Sequence, residues 1–290
     1  MMSNYTSIKP LLITASVCFF LTACGGSNSS STSAPSTTPE PNVQPPNVEP
    51  LPQPVEDKVA PGGLYLGYYQ ESFTLNPEDP TPGIVYLNIP QADGLFNGSM
   101  SFTYVGCQSE GIGNITGTKV NTQLNGEWLG RVDGRPQNGD YQLTYDVETQ
   151  SYIGTYNVAA GKQHVVIQEC IEYWIAPEGE VRLFPLNTLY VQGEDNSSVS
   201  GVNISNNIIG WGVAPDAELT VVSVISLEAA EQNLQSAMVW QELLPAEINS
   251  ITLPVAVSSV LVGGQRYAIS VTSVSQDSVV YSSNIEFIAN

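Results

Sequence analysis

Positive charge is scarce in this sequence. Of its 290 residues, 8 are Lys or Arg and 28 are Asp or Glu, and the formal net charge is −20. Nucleic-acid binding depends on clustered basic side chains, and the sequence has no such cluster, so we expect no nucleic-acid partner. The same acidity disfavours peripheral binding to anionic lipid. Because charged residues make up only 12% of the chain, the sequence predicts a polar surface rich in Ser, Thr and Asn, not an acidic tail.

Motifs for catalysis and metal binding are also missing. The single histidine, His164, stands in a strand-like segment, and no Gly-x-Ser-x-Gly elbow occurs, so we interpret it as structural. His-Glu-x-x-His, Cys-x-x-Cys, a phosphate-binding loop and a calcium-binding loop are absent. The sequence therefore predicts no catalytic residue, no metal and no cofactor. One enzymatic alternative stays open, because two carboxylates suffice for glycoside hydrolysis, with Glu127 and Glu169 as acid and nucleophile.

The apolar run near the start of the chain is too short to cross a bilayer. It covers residues 11–21, which are 11 residues, whereas a spanning helix needs about 20. Lys9 precedes the run, and the small residues Thr22 and Ala23 separate it from Cys24. This arrangement is typical of a cleaved secretory signal, which we place at residues 1–23.

The tetrad Leu21-Thr22-Ala23-Cys24 resembles the lipobox of bacterial lipoproteins. The resemblance implies that the Cys24 thiol carries diacylglycerol, that the chain is cut before it, and that the new amine is acylated. Several acyl chains hold a protein on a membrane far more firmly than one does. Gly25 after the cysteine implies sorting to the outer membrane of a Gram-negative cell, facing either the periplasm or the medium. The alternative is an ordinary signal peptide cut after Ala23, with Cys24 as a free thiol.

Two of the four cysteines remain after the signal and the anchor are assigned. Cys18 leaves with the signal, and Cys107 and Cys170 form an even pair in an exported, oxidising compartment. We predict a disulfide between them, closing a loop of about 63 residues and stabilising the fold by roughly 4 kcal/mol. Metal ligation is the alternative, but neighbouring ligands at zinc spacing are missing.

The exported chain divides by composition into three parts. Residues 24–60 are rich in Ser, Thr and Pro and contain no aromatic residue, which predicts a disordered linker holding the rest away from the bilayer. Residues 61–187 are rich in Tyr and Gly and contain nine short segments typical of strands. We predict an antiparallel β-barrel or compact sandwich there, with turns at Asn97-Gly98, Asn125-Gly126, Asp133-Gly134 and Asn138-Gly139.

Glycines flank several aromatic residues in this second part. The pattern occurs at Gly63-x-Tyr65-x-Gly67, Gly126-x-Trp128-x-Gly130 and Gly154-x-Tyr156. A glycine beside an inward aromatic residue lets a strand bend and lets rings of neighbouring strands pack, so we interpret these aromatics as core. The pattern resembles the starts of lipocalin- and avidin-type barrels, and no ligand is carried over from that resemblance.

The third part, residues 191–290, contains the stretch "LVGGQRYAISVTSV". Leu261 lies six residues before Tyr267, a Gly-Gly pair stands between them, and Ile269 and Val271 alternate after it. This resembles the signature of a fibronectin type III domain, with Gly263 in place of the proline. The resemblance implies a β-sandwich in which the tyrosine hydroxyl bonds to upstream backbone.

Two further features of residues 191–290 concern the fibronectin type III resemblance. The resemblance implies that Trp211 is the buried tryptophan of the second strand. One segment departs from the pattern, because Leu227, Ala230, Leu234 and Met238 have helical spacing and favour a short helix or a long loop.

These features together predict an all-β, outer-membrane-anchored lipoprotein. We expect a disulfide-bridged β-domain followed by a fibronectin type III-like sandwich, acting as a non-enzymatic binding or scaffolding module toward a protein or glycan partner at the cell envelope. A small-ligand carrier, with the first domain as a hollow barrel, is the second hypothesis. A carbohydrate-active enzyme is the third.

Overall fold

The computed structural model describes the chain from residue 60 onward, with gaps. The described ranges are 60–71, 83–104, 109–132, 135–160, 164–165, 173–174, 178–193, 199–213, 216–232, 237–275 and 279–290. The fold is mostly antiparallel β-structure, as the sequence predicts, and it includes a closed eight-stranded barrel.

The barrel is a meander that one late strand closes. Seven consecutive strands pair in chain order: β1 (Gly63–Glu71), β2 (Gly83–Ile89), β3 (Gly94–Tyr104), β4 (Ser109–Val120), β5 (Gln123–Val132), β6 (Arg135–Asp146) and β7 (Ser151–Asn157). After two short paired strands, β8 (His164–Val165) and β9 (Tyr173–Trp174), β10 (Glu178–Pro185) inserts between β7 and β1. Closure leaves no free edge in this sheet.

Inward positions of the barrel strands alternate glycine with large side chains. On β5, Leu124 and Trp128 are buried on either side of Gly126. A Cβ at Gly126 would lie 2.4 Å from the Tyr141 hydroxyl oxygen and 2.2 Å from the Thr116 carbonyl oxygen. The ring of one strand therefore lies over the glycine of its neighbour, which confirms the interpretation of these aromatics as core.

Three of the four predicted Asn-Gly or Asp-Gly turns are wrong. Asn97-Gly98, Asn125-Gly126 and Asn138-Gly139 lie inside β3, β5 and β6, and the fourth pair is outside the described residues. These glycines allow neighbouring groups to approach closely. A Cβ at Gly139 would lie 1.8 Å from the Asn157 carbonyl oxygen and 2.6 Å from the Trp128 indole nitrogen, and one at Gly98 would lie 2.0 Å from the Tyr86 carbonyl oxygen. The tight turn between β4 and β5 falls instead at Asn121, whose φ of 54° is one that asparagine tolerates.

A buried lysine closes one end of the barrel. The Lys119 side chain on β4 is fully buried, and its ammonium donates to the carbonyl oxygens of Ala60 at 2.7 Å, Pro90 at 2.9 Å and Gln91 at 2.8 Å. The segment before β1 is held across this end, and the Tyr65 hydroxyl donates to the Pro61 carbonyl oxygen at 3.1 Å. Burial lowers the pKa of Lys119.

In the described part of the chain, ten further elements follow the barrel. A five-stranded sheet has the order β11 (Leu189–Val191), β18 (Val279–Ile288), β17 (Arg266–Val274), β14 (Leu219–Ser226) and β15 (Met238–Pro245). A three-stranded sheet has the order β12 (Asn203–Ser205), β13 (Ile208–Gly210) and β16 (Ser250–Thr252). Two short helices, α1 (Leu227–Glu231) and α2 (Val255–Ser258), connect strands. Residues of both sheets share one apolar core.

The segment with helical spacing is partly helical. In α1, Leu227 and Ala230 are buried, and the Ser226 hydroxyl caps the helix by accepting a hydrogen bond from the Ala229 N–H. Met238 is the first residue of the edge strand β15, so the helical spacing does not extend that far.

The barrel and the five-stranded sheet share a second apolar cluster, and both lie in one compact unit of the chain. The outward side chains of β1, β2 and β10 form the barrel's part of this cluster. The other part is the face of the five-stranded sheet that points away from the core it shares with the three-stranded sheet. The fully or nearly buried members include Leu66, Tyr68, Ile84, Tyr86, Phe184, Val221, Ile225, Ala268, Val274 and Val279. A strand that is buried on both faces is apolar at nearly every position. This explains why β1 and β2 contain the apolar segments "GLYLGYY" and "GIVYLNI".

Candidate functional site

Trp211, Leu261 and Tyr267, predicted from sequence as a structural signature, lie together in the core shared by the two sheets. Trp211 and Tyr267 are buried, and Leu261 is half-buried. The Tyr267 hydroxyl oxygen accepts a hydrogen bond from the Val262 N–H at 2.9 Å, five residues upstream. This bond ties the connection between α2 and β17 to the core, so the surface around Leu261 is rigidly held.

Other predicted site residues are dispersed or lie outside the described residues. Cys24, Cys107, Cys170 and Glu169 are outside them. Glu127 is exposed on the outer face of β5, directly opposite Asp140 of β6. Among the described residues, no group of three or more His, Cys, Asp or Glu side chains could hold a metal ion.

The barrel interior is filled by side chains. The cavity that remains is about 20 Å³ and is lined by apolar and aromatic residues, among them Met100, Trp128 and Tyr156. Such a volume holds about one water molecule, whereas small-molecule pockets span about 300–1,000 Å³. In its described part the barrel is therefore a packed core with no room for a ligand.

A shallow groove of about 490 Å³ lies on the outside of the barrel. Its lining is polar and includes Asn125, Asp140, Gln142 and Glu178. Glu127 does not belong to the lining, so the groove does not use the carboxylate expected for glycoside hydrolysis.

A larger cleft of about 680 Å³ lies at one end of the paired sheets. Three elements build it. The β12–β13 hairpin turns through Asn206 and Asn207, both with positive φ, as a two-residue turn requires. Helix α2 and its following residues contribute Ser258, Ser259 and Leu261, and the end of β18 contributes Phe287.

Local hydrogen bonds hold these three elements in place. The Leu253 N–H donates to the Asn207 carbonyl oxygen at 2.8 Å, and the Ala289 N–H donates to the Gln265 carbonyl oxygen at 3.1 Å. The hydroxyls of Ser258 and Ser259 donate to backbone carbonyl oxygens one helical turn back. Among the described residues that line the cleft, none has a histidine, lysine or carboxylate side chain that could activate those hydroxyls.

Five exposed aliphatic side chains belong to the cleft lining or lie close to it along the chain. Val255 is 83% exposed, Ile288 61%, Val260 59%, Val262 52% and Ile208 47%. Ile288 lines the cleft itself, and each of the others stands one or two residues along the chain from a lining residue. We name the cleft and these five side chains the cleft face. A large contiguous patch of exposed apolar side chains marks a contact surface, whereas single exposed aliphatic residues are ordinary.

The cleft face is free of ionisable side chains. The segments that form it, residues 203–213, 250–265 and 287–290, contain no Asp, Glu, Lys, Arg or His. Arg266 and Glu286 border it, and the Arg266 guanidinium pairs with Glu228, Glu231 and Glu286. Its hydrogen bond with Glu231 is the main cause that raises the pKa of Arg266. Sequence reasoning missed this face, although sixteen uncharged residues in a row at 250–265 were a usable signal in so acidic a chain.

Comparison with known proteins adds no relative. No protein-family model matches the chain, and no curated protein matches it. In the part of the chain that the structure describes, no helix has the length and apolar character to span a bilayer.

Proposed function

We propose that the chain is an outer-membrane lipoprotein that works as a non-enzymatic binding or scaffolding module at the cell envelope. Cys24 in the lipobox-like tetrad carries the anchor, and the Ser/Thr/Pro-rich residues 24–60 separate it from the folded part. The observation that carries the binding role is the contrast between the filled barrel, with about 20 Å³ left inside, and the open cleft of about 680 Å³. No comparable observation supports the two alternatives, a small-ligand carrier with a hollow barrel and a glycoside hydrolase.

We further propose that residues 191–290 form a fibronectin type III-like sandwich and that Cys107 and Cys170 form a disulfide. The hydrogen bond from the Val262 N–H to the Tyr267 hydroxyl supports the first assignment, because a tyrosine corner uses its hydroxyl in this way. Burial of Trp211 between the sheets supports it as well. The disulfide rests on the even cysteine count of an exported chain.

Metabolic labelling with radioactive palmitate tests the anchor. Wild type is expected to carry label, and Cys24→Ser is expected to carry none. Cys18→Ser is the matched control, because that thiol leaves with the signal and its loss keeps the label. Label on Cys24→Ser, or none on wild type, would refute the anchor. Protease added to intact cells then distinguishes a chain facing the medium, which is cut in the linker, from one facing the periplasm, which is protected.

A further inference from the structure

We propose that the outer edge of β15 binds an extended peptide strand of a partner protein, one that carries a basic side chain between apolar ones. β15 is the last strand of the five-stranded sheet and, among the described strands, pairs with β14 alone. In an antiparallel pair, every second residue directs its N–H and C=O away from the neighbouring strand. Such a row of backbone groups is a template for one further strand. The inference goes beyond the binding role proposed above, because it assigns a second surface, apart from the cleft face.

The length of β15 separates it from the other edges in the described part of the chain. The barrel is closed, and the edge strands β8, β9, β11, β12 and β16 have two or three residues each. Natural edge strands are usually protected by being short or by carrying Lys or Pro. β15 has eight residues, contains no Lys, and has its one Pro at the last position. The ladder with β14 skips Val239, and residues 240–245 then follow in regular register, so this stretch can pair with a further strand.

Apolar side chains flank this edge on both faces of the sheet. Trp240 and Leu244 pack against the core shared by the two sheets, and Leu243 packs against the cluster shared with the barrel. All three are half-buried, whereas the residues opposite them on β14 are fully buried. A further strand would cover the remaining apolar surface on both faces, so apolar side chains are expected on both of its own faces.

Charge selects the partner. Glu242 lies in the middle of the regular stretch, is exposed, and takes part in none of the ion pairs of the described residues. Opposite charges directly across a strand pair stabilise it, and like charges destabilise it. A partner strand with Lys or Arg opposite Glu242 is therefore favoured over a neutral strand and over an acidic one.

A second copy of this chain does not meet that condition. Two copies of residues 240–244 pair antiparallel over their full length in the register centred on residue 242, which sets the two Glu242 carboxylates directly opposite each other. Each copy also has a formal charge of −20, so two copies repel. A lipid or a glycan has no main chain to extend the ladder. A basic strand of another protein satisfies the backbone, the apolar flanks and the charge together.

Binding of a synthetic peptide to the full chain carrying Cys24→Ser, which removes the lipid, tests the proposal. The probe is a fluorescently labelled peptide with the core Val-Val-Lys-Thr-Tyr, whose lysine falls opposite Glu242 when the core pairs antiparallel with residues 240–244. Fluorescence polarisation is expected to give a Kd on the order of 100 µM. Hydrogen exchange of the amides in residues 238–245 is expected to slow when the probe binds.

Two control peptides separate strand pairing from attraction to an acidic protein. A peptide with Glu in place of Lys is expected to bind about fivefold more weakly. A probe N-methylated throughout its core keeps the side chains and the charge but cannot donate to the ladder, and it is expected not to bind. No binding of the lysine probe at about 1 mM, or equal binding of the N-methylated probe, overturns the proposal.

Charge exchange locates the contact. Glu242→Lys is expected to reverse the preference, so that the Glu peptide binds about fivefold more tightly than the Lys peptide. Glu127→Lys is the matched control, because Glu127 is also exposed in the middle of a strand but β5 is paired on both sides, and the wild-type preference is expected to remain. Near-ultraviolet circular dichroism confirms folding of each variant. A preference that Glu242→Lys leaves unchanged refutes the assigned edge.

Sedimentation velocity of the chain without peptide tests the competing occupant. A monomer is expected at about 100 µM. A dimer that the lysine probe dissociates would assign the edge to a second copy of this chain and would overturn the proposal.

Discussion

Lys119 shows at the residue scale how a charged side chain becomes a structural one. A fully buried lysine is rare because its ammonium loses its hydration. Here three carbonyl oxygens at 2.7–2.9 Å take the place of water, and all three donors of the ammonium are used. The residue ties β4 to the β2–β3 connection and to the segment that enters β1.

Lys119→Met is expected to destabilise the fold by about 3 kcal/mol, because it leaves buried carbonyl oxygens without a donor. The free energy of unfolding from urea denaturation measures this loss. Arg131→Met is the matched control, since Arg131 is an exposed cation on the same barrel, and its effect is expected within about 0.5 kcal/mol. Equal effects of the two substitutions would show that charge, not the three hydrogen bonds, is responsible.

At the scale of elements, the inward faces of the barrel strands concentrate tyrosine hydroxyls in an apolar interior. Tyr65 and Tyr152 form an edge-to-face pair with ring centroids 5.1 Å apart, and Tyr145 packs on Tyr152 at 5.2 Å. Burial is the main cause that raises the pKa values of Tyr65, Tyr141 and Tyr152 above the usual range. The stability of the barrel therefore depends on these tyrosine hydroxyls remaining protonated.

Stability is expected to fall as the pH rises above about 10, where an unfolded tyrosine begins to lose its proton. The folded state keeps these protons, so the unfolded state binds fewer, and each such tyrosine lowers the free energy of unfolding by about 1.4 kcal/mol per pH unit. The stabilisation is fully present below pH 10 and is lost progressively above it. Urea denaturation between about pH 8 and about pH 11 measures this loss.

Tyr152→Phe is the control for that pH dependence. The Tyr152 hydroxyl has no hydrogen-bond partner among the described residues, so its removal is expected to cost little near neutral pH. Because the variant has one buried phenol fewer, its stability should decline less steeply above pH 10. An alkaline slope identical to that of wild type would contradict the role of this hydroxyl.

At the scale of the whole molecule, the shared apolar cluster makes the barrel and the paired sheets mutually dependent. Tyr68 and Ile84 are cross-strand neighbours on the outside of the barrel, yet both are buried, because the five-stranded sheet covers them with residues such as Ala268. Separating the barrel from the five-stranded sheet would expose apolar surface on both. They are therefore expected to unfold together.

Ile84→Ala is expected to destabilise the whole protein by about 3 kcal/mol, as buried large-to-small substitutions do. Circular dichroism and tryptophan fluorescence should show one coincident transition, shifted together. Ile112→Ala is the control: Ile112 lies on the outside of the barrel strand β4 but is 47% exposed, so its loss should cost less than about 0.5 kcal/mol. Two separate transitions, or no effect of Ile84→Ala, would mean that the bodies are independent.

Much of the fold follows from local patterns that the sequence alone displays. Alternating side chains in short segments predict antiparallel strands, because the period of two belongs to the strand itself. The glycines beside Trp128 and Tyr156 predict a ring-filled interior. The core position of Tyr267 is what the resemblance of its stretch to a fibronectin type III signature implies. The lipid anchor and the disulfide also come from sequence and remain predictions.

The tertiary structure decided what depends on distant segments. Asn125-Gly126 lies in a strand and not in a turn because it pairs with both β4 and β6, and the Tyr141 hydroxyl of the neighbouring strand occupies the space beside the glycine. Lys119 is buried because Ala60, far earlier in the chain, supplies an acceptor. The cleft face exists because three separate uncharged segments meet at one end of the sheets. Local periodicity specifies which side chains share a face of a strand, whereas only the assembled fold determines what covers that face.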